Sequence, residues 1–107
     1  MTLIHNVENC ESMADVRRHI DALDTRIVAL MAERSGYMTQ AARIKQNVHQ
    51  VHDQARIDFI VERVKAMAAE QGAPEAVIEA AYRAMIDASI EFEHGEFKRL
   101  RQQGSTP

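Results

Sequence analysis

From Val16 onward, apolar residues return every three or four positions: Val16, Ile20, Leu23, Ile27 and Leu30, then Tyr37, Ala41, Ile44 and Val48, with Arg34 holding one place in the series. That spacing marks one face of a helix. Ser12, three residues ahead of Asp15, supplies an N-cap with an acid in the first turn, and only Gly36 interrupts the run. The pattern predicts a helix from about Ser12 to Val48. At 1.5 Å per residue, about 35 residues reach on the order of 50 Å, more than the rest of a short chain can cover. The repeat is heptad-like and suits shallow-angle packing against a second copy of the chain or a neighbour.

The stretch from Val48 to Asp53 reads as a turn, with Asp53 capping a second helix whose stripe of Ile57, Ile60, Val61, Val64 and Met67 ends near Gly72. Pro74 suits the first turn of a third helix, whose stripe runs through Ile78, Ala81, Tyr82, Met85, Ser89, Phe92, Phe97 and Leu100. Residues 1–11 and 102–107 are expected to be flexible termini. Without strand alternation or internal repeats, the chain is expected to be a single all-α domain, 1–107, of one very long and two shorter helices.

Composition narrows the function. The chain has 107 residues, 46% hydrophobic and 27% charged, with four Gly and two Pro, which suits a folded helical domain small enough to gain from oligomerisation. A net charge of -3 with both signs interspersed gives no broad basic face for nucleic acid or an anionic membrane. Cys10 is the single cysteine, so an intrachain disulfide is excluded. With no leader-like start and no run of about 20 apolar residues, the expectation is a cytoplasmic protein.

The chemistry lies where polar residues interrupt the apolar faces. Projected at 100° per residue, Arg34 and Lys45 both fall near the centre of the first stripe, and Arg17 lies on its flank. Arg34 and Lys45 are separated by roughly 16 Å along the axis, so their long side chains can grip an anion between them. On the third helix Ser89 and Glu93 share one inward face. Inward charges cost several kcal/mol unless compensated, and Glu93 neutralises only one cation. The surplus calls for a small ligand with carboxylates or phosphates, and Arg suits bidentate carboxylate binding. His49 and His52 have no further His or Cys nearby and read as loop histidines, so no metal is expected. Cys10 has no adjacent base, and neither a phosphate loop nor a serine-nucleophile motif is present.

The run Val16-Arg17-Arg18-His19-Ile20-Asp21-Ala22-Leu23-Asp24, then Ala29 to Arg34, Lys45, Asp53 and Arg56, and finally Ile86-Asp87-Ala88-Ser89 and Glu93, resembles the all-helical (type II) chorismate mutases. The likeness extends from about Ser12 to Leu100. The residues from Asn9 to Arg17 and the short turn after Lys45 look especially like a related branch, the isochorismate pyruvate lyases. The resemblance implies an intertwined homodimer of three-helix chains with two equivalent sites and no cofactor. Arg34 would bind one substrate carboxylate, and Arg17 would reach into the partner chain's site for the other. Lys45 would contact the ether oxygen and a carboxylate, Arg56 would assist, Asp53 would hold the ring hydroxyl mainly through its backbone, and Ser89 would line the ring pocket.

Two positions depart from the mutase pattern. Ile57 stands where the mutases carry Glu after the arginine, an apolar choice closer to the lyase branch, so both substrates stay open. Glu93 replaces the usual Gln beside the ether oxygen and is expected to carry a proton there, with activity falling as pH rises. The activity implied is the pericyclic rearrangement of chorismate to prephenate. Isochorismate pyruvate lyase is the alternative, and a non-catalytic helical dimer that senses a metabolite is an alternative of another class.

Overall fold

The structure, a computed structural model, describes residues 7–104, and the outermost residues expected to be flexible, 1–6 and 105–107, lie outside them. It contains three helices: α1 (Met13–Ile44), α2 (Gln54–Gln71) and α3 (Glu75–Gly104). No strand occurs among the described residues. None of the helices is long and apolar enough to cross a membrane.

Local chemistry sets the helix ends. Ser12 Oγ accepts from the Asp15 N–H at 3.1 Å, the capping bond expected at the start of α1. The helix stops earlier than its apolar period suggests. Lys45 has left helical geometry at ψ 140, and Val48 sits in a single 3-10 turn, Val48–Gln50, capped by Asn47 in a reciprocal box with Gln50. Asp53 caps α2 by accepting from the Arg56 N–H at 3.0 Å. At its far end Gly72 adopts φ 69, and the N–H groups of Gly72 and Ala73 return to Ala69 and Ala68. That left-handed turn suits a residue without a Cβ. Pro74 lies just before α3 rather than in its first turn, its carbonyl accepting from Val77 and Ile78. The polar tail continues α3 to Gly104 instead of ending it at Arg101.

The α3 helix packs against both α1 and α2. The pairs Arg34–Ser89, Thr39–Glu96 and Arg101–Ala42 advance together along the two chains, so α1 and α3 run parallel. The core is small: Ala42, Val51, Val61, Val64, Ala68 and Ile86. Every residue from Ile20 to Glu33 is exposed, including Leu23 at 50% and Leu30 at 63%. Among the described residues, nothing covers the apolar face of the first half of α1. The radius of gyration is 18.0 Å, against about 13 Å for a compact domain of this size.

Candidate active site

Beside the junction of the three helices lies a cavity of about 420 Å³, lined by Arg34, Met38, Ala41 and Lys45 from the end of α1, Val51 and Asp53 from the connection, Arg56, Ile57 and Ile60 from α2, and Ile86, Ser89, Ile90 and Glu93 from α3. Its size suits a small ligand. Seven of the eight positions singled out from the sequence are therefore brought together. The eighth, Arg17, is exposed on the first half of α1 and does not line this cavity. It precedes Arg34 by 17 residues, about 25 Å along the axis and about 100° around it.

The polar groups divide into two clusters. Arg34 Nη1 donates to Ser89 Oγ at 3.2 Å, a contact between helices that holds the guanidinium at the cavity wall. Lys45 Nζ lies 2.5 Å from Glu93 Oε2, and Glu93 is only 4% exposed. A carboxylate buried so deeply needs this partner, because desolvation penalises an uncompensated charge. Asp53 spends its side chain on capping α2, and its carbonyl accepts from the Ile57 N–H at 3.0 Å. Arg56 is exposed at the rim, its guanidinium 5.3 Å from the Phe59 ring centroid. Ile57 gives the wall an apolar surface at the α2 side.

Beyond these clusters, Thr39 Oγ1 donates to Glu96 Oε1 at 2.8 Å, and Arg99 Nε donates to Glu96 Oε2 at 2.7 Å. The Arg99 bond, followed by that of Thr39, lowers the Glu96 carboxyl to about 2. This network joins the end of α1 to α3. Sequence periodicity did not reveal it, because the pairing of Thr39 with Glu96 depends on how the two helices are aligned. Val51 was also missed, since it lies in the connection and belongs to no stripe. His49 and His52 are exposed outside the cavity, and the His52 ring nitrogen is 3.1 Å from Gln54 Oε1. Cys10 is half-buried, its Sγ 3.6 Å from the Glu8 carbonyl oxygen.

Three cations, Arg34, Lys45 and the rim residue Arg56, with the buried Glu93 carboxyl and Asp53, line an otherwise largely apolar cavity and form a receptor for a small organic anion. A family model described as chorismate mutase type II matches residues 16–94. A chorismate mutase from Methanocaldococcus jannaschii is 30% identical over 66 residues, 61% of this chain and 67% of that protein. The matched span takes in Arg17 and every cavity-lining residue from Arg34 to Glu93. The chain thus belongs to the chorismate mutase type II family.

Proposed function

We propose that the protein is a chorismate mutase, converting chorismate to prephenate by a [3,3] rearrangement in which the ether C–O bond breaks as a C–C bond forms. The observation that carries this reading is the placement of Arg34, Lys45 and Glu93 around one cavity whose remaining wall is mostly apolar. The reaction needs no nucleophile, and catalysis comes from holding the reactive conformer and stabilising charge on the ether oxygen. Arg34 takes one carboxylate in a charge-assisted bond, giving up its neutral contact with Ser89. Lys45 turns its ammonium to the ether oxygen. Glu93 then faces the same oxygen and serves it as a protonated acid, donating rather than repelling.

Within one chain Arg34 is the inward arginine and Arg56 stays exposed at the rim, whereas the substrate has two carboxylates. The working form is an intertwined homodimer in which Arg17 of one chain completes the site of its partner. The uncovered face from Ile20 to Met31, the elongated shape and the 25 Å offset of Arg17 all support a second copy as the occupant of that face.

Ile57 favours a second reading, isochorismate pyruvate lyase, because an apolar wall there offers no hydrogen bond to a ring hydroxyl. Purified protein supplied separately with chorismate and isochorismate decides between them. Prephenate as the efficient product supports the mutase. Faster release of salicylate and pyruvate from isochorismate replaces it with the lyase, and neither product overturns both.

A further inference from the structure

The last carbonyls of a helix have no partner within it. At the end of α1, two of these are taken by one side chain from α3: Arg101 Nη1 donates to the Ala42 carbonyl at 2.7 Å, and Arg101 Nη2 donates to the Lys45 carbonyl. The guanidinium is seated 3.5 Å from the Phe97 ring centroid. A cation here also meets the negative end of the α1 dipole. On its other side, the Lys45 N–H donates to the Ala41 carbonyl at 3.0 Å. The residue whose ammonium meets Glu93 is therefore held by its backbone from both directions, just where the chain turns out of the helix.

We infer that Arg101 is a positioning residue for the reaction. It is not among the residues lining the cavity, and it acts by clamping the Lys45 carbonyl to α3, the helix that also carries Glu93. The long, flexible lysine side chain then starts from a fixed point relative to the carboxyl it must face. Misplacing a catalytic group by about 1 Å costs on the order of a hundredfold in rate. Arginine suits this task because its planar fork reaches two carbonyls at once, which a lysine ammonium does only loosely. The inference rests on the proposed role of Lys45 in the mutase reading.

The test is a cycle of Arg101→Ala and Lys45→Ala in the full-length protein, read by kcat and KM, with Arg101→Lys as a milder variant should Arg101→Ala not fold. Arg101→Ala is expected to lower kcat about tenfold or more with little change in KM, and to add nothing in the Lys45→Ala background. Equal losses in both backgrounds, or no loss in kcat, overturn the inference. A second readout does not depend on turnover. The chain has three lysines, Lys45, Lys65 and Lys98, so lysine-labelled NMR resolves them. Loss of the Arg101 clamp is expected to move the Lys45 side-chain signal alone toward that of a free lysine. An unmoved signal overturns the positioning role even if the protein proves inactive on chorismate, while wild-type inactivity on chorismate with a moved signal rejects only the mutase reading.

Discussion

Lys45, at the C-cap of α1, and Glu93, on α3, meet at 2.5 Å in the cavity and form an ion pair. A substrate oxygen that enters between them must take over the ammonium, and Glu93 faces that oxygen from α3. Glu93→Gln keeps a hydrogen-bond donor at this position and is expected to retain more activity than Glu93→Ala, which leaves Lys45 without its partner. Steady-state rates of the two variants check this, and equal rates would remove Glu93 from the mechanism.

Among the described residues the hydrogen-bond partner of Arg34 is the neutral Ser89 hydroxyl, so its charge is available to a ligand in the cavity. Arg34→Ala is expected to lower kcat/KM by roughly ten- to a hundredfold, the worth of a charge-assisted bond of about 1.5–3 kcal/mol. Arg34→Lys should recover little, since an ammonium lacks the bidentate fork. Circular dichroism should show helix content unchanged in both variants. Full activity in Arg34→Ala would remove the residue from the site.

The proposed sharing of Arg17 between chains has a complementation test. Arg17→Ala and Arg34→Ala are each expected to keep roughly a tenth to a hundredth of wild-type activity as homodimers, yet a mixed dimer contains one site with both arginines intact. Unfolding and refolding an equal mixture should restore about a quarter of wild-type activity, since half the dimers are mixed and half their sites are whole. No recovery, with mixed dimers confirmed by mass spectrometry, would mean that Arg17 does not act across the interface.

The Glu96 carboxyl, lowered to about 2 chiefly by its bond from Arg99, makes stability depend on acid. A depressed pKa in the folded state means the contribution is fully present above the unfolded value of about 4.3 and is lost as pH falls toward 2. Glu96→Gln should therefore melt at a lower temperature than wild type near neutral pH, with the gap narrowing as pH falls below about 4.3 and closing near pH 2. Thermal melts over that range check it, and a constant gap would assign the effect to packing.

Much of the helix plan is legible in short-range chemistry. Ser12, Asp53 and Gly72 each mark a helix end through a bond or a backbone angle that involves only neighbours in sequence. The end of α1 is less legible, because Val48 keeps the apolar period while the Asn47–Gln50 box turns the chain. Arg34, Lys45, Ser89 and Glu93 stood out as polar residues on apolar faces. The partners of Arg101 and Glu96 did not, since a bond between residues more than 50 positions apart depends on the alignment of two helices. Periodicity also implied a buried α1 face, but it does not say which chain covers it.

The unbroken course of α1 from Met13 to Ile44 makes it a ruler as well as a scaffold. Inserting one residue between Arg17 and Arg34 shifts one cation from the other by about 1.5 Å and swings it by about 100°. Inserting seven nearly restores the angle but adds about 10 Å to the span. Point substitutions in this segment can be absorbed one at a time. In the proposed homodimer, changes in its length, in either direction, detune two sites at once.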